Sequence, residues 1–179
     1  MIDADMRKNV QNTIFGLDNT SGLSTAIVGE KNINEYIQTF SFTQKDKEGN
    51  ENKLTLDILP SGPTPPNPSE LLGSTRFSDM LSQLNYEIVI IDTPPVNVVT
   101  DSMELAKVIS GMLLVVKQNY TTEEDVEMAM KKIEFSKIHM LGFVMNGTDS
   151  GHHGAYYYKY KRGGGITKSI LITTKNRKS

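Results

Sequence analysis

Glu87-Ile88-Val89-Ile90-Ile91-Asp92-Thr93-Pro94-Pro95 decides the fold. Four branched apolar residues run without alternation into an aspartate. A run of that kind suits a strand buried on both faces, as in a parallel sheet under helices. Asp92 then stands at the carboxyl end of the strand, where open α/β sheets place their ligands. Its carboxylate offers hard oxygen to Mg²⁺, directly or through water. The competing reading is an aspartate that caps the turn made by Pro94 and Pro95.

Working outward, the flanking segments supply the rest of such a sheet. Asp101 to Ile109 reads as a helix, Gly111 to Lys117 as a second buried strand, and Glu123 to Phe135 as a helix capped by Thr121 or Thr122. Met140 to Asn146 is a further strand. Strand, helix, strand, helix, strand is the signature of βαβ units with right-handed crossovers. Upstream, Phe40 and Phe42, then Leu54, Leu56 and Ile58, alternate with polar residues around the charged turn 46–52, which predicts two strands. Gly22–Val28 and Asn32–Gln38 are candidate short helices. Pro60 to Ser69 holds five prolines and a glycine, so it is a rigid loop or a polyproline ligand. Ser69 is the expected N-cap of a helix carrying Leu71, Leu72, Met80, Leu81 and Leu84.

The chain opens Met1-Ile-Asp-Ala-Asp-Met-Arg7. A strand ending at Asp3 would present Asp3, Asp5 and Arg7 in succession. Two carboxylates can serve a cation and a hydroxyl proton, and a guanidinium can hold a phosphate or fix a carboxylate. An exposed, charged terminus is the plainer alternative.

Totals narrow the function classes. With 19 basic and 21 acidic residues in 179, no global attraction for nucleic acid is implied. There is no cysteine, which excludes disulfides and thiolate metal sites. No apolar run approaches the roughly 20 residues of a membrane span, and no signal peptide is visible. The composition changes at residue 148. Glycines surround His152 and His153, read as loop residues, and Tyr156, Tyr157, Tyr158 and Tyr160 follow. Lys159, Lys161, Arg162, Lys168, Lys175, Arg177 and Lys178 then occur without an acidic residue. This predicts two parts, a domain over 1–147 and a flexible, tyrosine-rich basic tail over 148–179. Such a tail could touch nucleic acid or anionic lipid, or carry phosphate.

Together these stretches resemble the bacterial tyrosine kinases of capsular and exopolysaccharide synthesis, relatives of the deviant-Walker partition ATPases. Asp3-x-Asp5-x-Arg7 is similar to their second acidic motif, and Ile88 to Pro95 to their Walker B strand. Leu59 to Leu72 is similar to their loop-and-helix entry, and the four tyrosines to their C-terminal cluster. The resemblance implies a P-loop NTPase-like, parallel, doubly wound sheet. It implies ATP and Mg²⁺ as cofactors, with Asp3 and Asp92 on the metal. Asp5 would be the catalytic base, Arg7 an electrostatic aid, and Asn146 an adenine contact. Tyr156, Tyr157, Tyr158 and Tyr160 would be phospho-acceptors. It further implies a ring of copies at the cytoplasmic face of the membrane, held by a membrane polysaccharide co-polymerase that activates the kinase, with no nucleic acid involved.

One element of the pattern is missing. No G-x-x-x-x-G-K-[ST] occurs anywhere in the sequence. That loop supplies the amides, lysine and hydroxyl that hold phosphates and Mg²⁺. The expectation is therefore a kinase domain lacking its N-terminal portion, without the family's first strand and helix. Such a domain would leave an unpaired sheet edge and uncovered apolar surface. The alternatives are a non-catalytic docking or phospho-acceptor module and a partition-type ATPase.

Overall fold

The computed structural model describes residues 1–148 and 168–174. Its centre is a five-stranded sheet in the order β1 (Ile2–Asp3), β4 (Ile88–Asp92), β7 (Lys168–Thr174), β5 (Gly111–Lys117), β6 (Met140–Asn146). β1 pairs parallel with β4, and β5 parallel with β6. An antiparallel hairpin, β2 (Gln38–Lys45) and β3 (Glu51–Ile58), stands apart. Leu59, just past β3, bridges to Ile2. The α/β class and the mostly parallel sheet are those the sequence predicts.

The helices are α1 (Gln11–Phe15), α2 (Leu23–Val28), α3 (Pro68–Leu72), α4 (Thr75–Gln83), α5 (Asp101–Glu104) and α6 (Glu123–Phe135). Several bounds differ from expectation for local reasons. Asn32–Gln38 yields only a 3-10 turn, Ile33–Tyr36, because β2 begins at Gln38. The helix predicted to Ile109 stops at Glu104 and tightens into a 3-10 turn over Leu105–Lys107. Ser69 is not an N-cap. Pro68 starts α3 two residues earlier, with Asn67 before it, and Ser74 caps a separate α4 by accepting from Phe77 N. Thr122 caps α6, as one of the two threonines considered.

Topology decides which face is covered. From β1 to β4, β5 and β6 the chain always steps the same way across the sheet. Right-handed crossovers then place every connecting helix on one side. The core agrees. Ile2, Val89, Ile91, Met112, Leu114 and Leu171 face that side and cluster with Leu72, Phe77, Leu105, Ala129 and Ile133. The register puts Ile88, Ile90, Ile170, Ile172, Leu113, Val115 and Val144 on the other side. None of these belongs to the core, and Ile88 remains 59 % exposed. Among the described residues the winding is therefore one-sided, and the expected uncovered apolar surface is this second face.

In the middle of the sheet the structure shows no unpaired edge of the kind expected from a missing strand. β7 lies between β4 and β5, antiparallel to both, with Leu171 opposite Ile91 and Met112. This corrects the assignment of 168–174 to a flexible tail. Ile170-Leu171-Ile172 is a short β-forming run that by itself carries little signal. A slot with unpaired backbone on both sides gives it ladder partners and buries Leu171 completely. Residues 149–167, which include His152, His153 and the four clustered tyrosines, lie outside the described residues.

Candidate functional site at the carboxyl edge

β1 and β4 end together. Asp3 is the register partner of Asp92, and Ala4 N donates to Asp92 O at 2.8 Å. Asp3 is fully buried and Asp92 nearly so. Two carboxylates at neighbouring strand ends repel each other in a poorly solvated site. Burial, and next the charge of Asp92, push Asp3 up to about 7. Three donors offset the repulsion. Asp5 N reaches Asp3 Oδ1 at 3.1 Å, Gln11 N reaches Asp3 Oδ2 at 3.4 Å, and Gln11 Nε2 donates to Asp92 Oδ2 at 2.6 Å.

Asp5 is also buried, and its Oδ1 accepts from Lys8 N at 3.0 Å, which closes the turn after β1. Arg7 leaves that turn toward the helices. Its Nε and Nη2 donate to the two oxygens of Asp101 at 3.0 and 3.2 Å. Asp101 is completely buried at the start of α5 and also accepts from the hydroxyl of Ser69 in α3. Of the two uses that its sequence position allowed, Arg7 here fixes a carboxylate. The bidentate pair ties the acidic turn to two helix starts.

The proline loop is fastened to the same edge. Asn19 Oδ1 accepts from Gly62 N at 2.8 Å, and Asn19 Nδ2 returns a bond to Gly62 O at 3.2 Å. Gly62 has φ +74, a conformation that glycine adopts without strain. The contact is so close that a Cβ on Gly22 would lie 2.3 Å from Pro60 O. The loop is thus pinned against the start of α2.

Asn146 stands elsewhere. It ends β6, opposite Lys117, with β5 and β7 between it and Asp92. It is exposed, and its Oδ1 accepts from Gly147 N at 2.7 Å. So the structure brings Asp3, Asp5 and Asp92 together, sets Arg7 to one side, and leaves Asn146 on the same edge but apart.

Sequence reasoning missed Gln11, Asn19, Ser69 and Asp101. Each acts through a partner 32 to 94 residues away.

Asp3 and Asp92 suit a divalent cation. Their oxygens are hard, they converge from adjacent strands, and the cation would relieve the repulsion that raises Asp3. No group of three or more His, Cys, Asp or Glu able to hold a metal occurs among the described residues. Two carboxylates are nonetheless the usual protein share of a Mg²⁺ site that also takes phosphate and water. A triphosphate fits less well. The sequence holds no phosphate-binding loop, and beside Asp92 the structure offers Ile170 of β7.

No protein-family model matches the chain. It is similar to CapB of Staphylococcus aureus, which carries the name of a tyrosine-protein kinase, with 35% identity over 89% of this chain and 66% of that protein. Tyrosine-protein kinase YwqD of Bacillus subtilis is 34% identical over 88% of this chain and 63% of its own length. Tyrosine-protein kinase etk of Escherichia coli matches at 32% over 88% of this chain, which is 20% of that protein. Among solved structures, the kinase domain of Escherichia coli tyrosine kinase ETK superposes with a TM-score of 0.72, at 32% identity, over 89% of this chain and 59% of that one. The chain therefore spans about two thirds or less of the proteins it matches.

Proposed function

Because this chain belongs to the family of bacterial tyrosine-protein kinases, we propose that it is the acidic-site portion of a tyrosine autokinase domain serving capsular or exopolysaccharide synthesis. The observation that carries this reading is the buried, in-register pair Asp3 and Asp92 at one carboxyl edge. In the proposed reaction these two carboxylates hold Mg²⁺. A bound Mg²⁺ supplies charge neutralisation at the transferring phosphoryl group. Asp5 would accept the proton of a tyrosine hydroxyl as that oxygen bonds to the γ-phosphorus of ATP and the bond to the departing ADP oxygen breaks. Arg7, held by Asp101, keeps the Asp3-to-Arg7 turn in place. The acceptors are Tyr156, Tyr157, Tyr158 and Tyr160. The working assembly is a ring of copies at the cytoplasmic face of the membrane, docked on a membrane polysaccharide co-polymerase.

By its own residues the chain autophosphorylates at or near background with Mg-ATP. Carboxylates facing a triphosphate without amides or lysine repel it. Loss of one preorganised donor can cost about 10²–10³ in rate, and a whole cradle more. The test is phosphotyrosine formation by this chain alone and by the same chain with an apolar strand, phosphate-binding loop and helix fused ahead of Met1. Activity that appears only in the fusion, and is lost again in Asp92→Asn, supports the reading. Phosphotyrosine formed by the unfused chain and abolished by Asp5→Asn would overturn the role given to the loop. The slot filled by β7 favours a second reading, a non-catalytic docking or phospho-acceptor module. Background activity in the fusion, with the four tyrosines still accepting phosphate from a complete kinase, would select it.

A further inference from the structure

Gln11 touches both carboxylates of the acidic pair, and its two contacts are made by different parts of the residue. The main-chain N–H reaches Asp3 Oδ2 at 3.4 Å, and the carboxamide Nε2 donates to Asp92 Oδ2 at 2.6 Å. The second bond is the shorter of the two, spans 81 residues of sequence, and comes from a side chain with three rotatable torsions at a partly exposed position. By register, Asp3 and Asp92 lie on the same side of the sheet as Ile88 and Ile90. Over Ile88 and Ile90 that side has no helix among the described residues, yet Asp3 and Asp92, at the end where α1 begins, are buried while Ile88 is open. The segment that begins at Gln11 is what donates into this end of the bare face.

We propose that Gln11 is a latch on the cation position, its carboxamide holding Asp92 Oδ2 in the metal-free chain and swinging away when a divalent cation takes that oxygen. The inference rests on the reading of Asp3 and Asp92 as the cation pair. The physical reason is a competition for one acceptor. An amide N–H is a partial positive charge and can relieve two crowded carboxylates only in part. A divalent cation relieves them fully, and the backbone bond to Asp3 can stay while the side chain moves. A hydrogen bond to a charged group that must be given up is subtracted from the affinity of whatever displaces it. The carboxamide thereby eases the repulsion in part and sets the threshold that a cation must exceed.

The contrasting role is that of a ligand, with Gln11 Oε1 turned onto the metal. The two roles predict opposite signs. In the latch, Gln11→Ala binds Mn²⁺ more tightly, by about tenfold, the factor that one hydrogen bond to a charged group carries. In the ligand role the same change weakens binding.

Mn²⁺ affinity is measured by calorimetry and by the spin-resonance signal of free Mn²⁺, on the full chain, for the natural sequence, Gln11→Ala, Gln11→Glu and Asp92→Asn. Thermal melting is recorded in chelator and in excess Mn²⁺. Expected are tighter binding and a lower metal-free melting temperature in Gln11→Ala, with the difference closing in Mn²⁺. Gln11→Glu adds a third carboxylate, so it should bind more tightly still and melt lowest without metal. Asp92→Asn should abolish binding. Mn²⁺ binding that is weakened or unchanged in Gln11→Ala, while Asp92→Asn still abolishes it, overturns the latch and leaves the cation pair standing. Binding that Asp92→Asn does not affect, or no binding by the natural sequence and every variant, overturns the cation pair and the latch with it.

Discussion

The two faces of one sheet carry the same kind of residue to opposite ends. On one face Val89, Ile91, Met112, Leu114 and Leu171 are buried under α3 to α6. On the other, Ile88, Ile90, Ile170, Ile172, Leu113 and Val115 are just as apolar and have no helix above them among the described residues. Composition cannot explain the difference, because the two sets alternate along the same strands. Direction of travel can. Every parallel crossover steps the same way, so every helix lands on one side. The teaching is that hydrophobic sequence specifies only that a face can be buried, while connectivity specifies which face is.

The largest effect expected from this comparison lies within β7. Leu171 is completely buried between Ile91 and Met112, and Ile172 is its neighbour on the bare side. Leu171→Ala should destabilise the chain by about 2–5 kcal/mol, since it opens a cavity in a packed layer. Ile172→Ala should cost about 1 kcal/mol or less. Urea unfolding of both variants checks this. Equal costs would mean that β7 is not held by its core-facing side, and the contrast between the faces would fail at its centre.

A smaller effect concerns the paired carboxylates at the carboxyl end of the bare side. Asp3 is raised from 3.8 to about 7, by burial first and by Asp92 second. The folded chain therefore holds a proton that the unfolded chain has released between about pH 4 and 7. Stability should fall as pH rises through that window and level off above it, with its full value below the unfolded pKa. Unfolding in chelator at pH 5 and pH 8 should show the lower stability at pH 8, and Asp3→Asn should flatten the difference. Divalent cation at pH 8 should restore part of it. A difference that survives Asp3→Asn would assign the pH dependence to other carboxylates.

How much of this was legible in the sequence follows from which interactions are local. The strand 88–92 was legible from its unbroken apolar run ending in aspartate, but the burial on both faces that such a run suggests is not met, since Ile88 and Ile90 stay exposed. β5, α6 and β6 were legible from their period and their caps. That Asp3 and Asp92 share a carboxyl edge was legible only through the family resemblance, since the two residues ahead of Asp3 are too few to declare a strand, and their pairing in register was not legible at all. Nor was β7, since Ile170-Leu171-Ile172 is too short to specify a strand without the slot that receives it. The partners of Arg7 were not either. Asp101 reads as an ordinary first-turn acid of a helix, and only packing removes it from water and aims it at a guanidinium 94 residues away. Gln11 had no signal at all. Its chemistry is that of a neutral amide, and its position matters only because two carboxylates converge on it.

The smallest effect should come from the outer residues of β4, and it sharpens the comparison most. Ile88 and Ile90 are 59 % and 39 % exposed, whereas Val89 and Ile91 between and beside them are 7 % and 0 %. Ile88→Thr and Ile90→Thr keep the β-branched shape that strands prefer and remove little buried area, so each should change stability by less than about 1 kcal/mol. Val89→Thr places a hydroxyl in the core and should cost more than either. The outer pair should act on association instead. An apolar sheet face open to water promotes contact between molecules, and each added hydroxyl lowers that tendency. Sedimentation velocity over a concentration series should show less self-association in the Ile88→Thr, Ile90→Thr double variant, at an unfolding midpoint close to that of the natural sequence. A double variant that unfolds as readily as Val89→Thr would mean that this face is packed in solution. A double variant that leaves association unchanged would place the contact elsewhere, with the exposed β6 edge at Phe143 and Met145 as the next surface to alter.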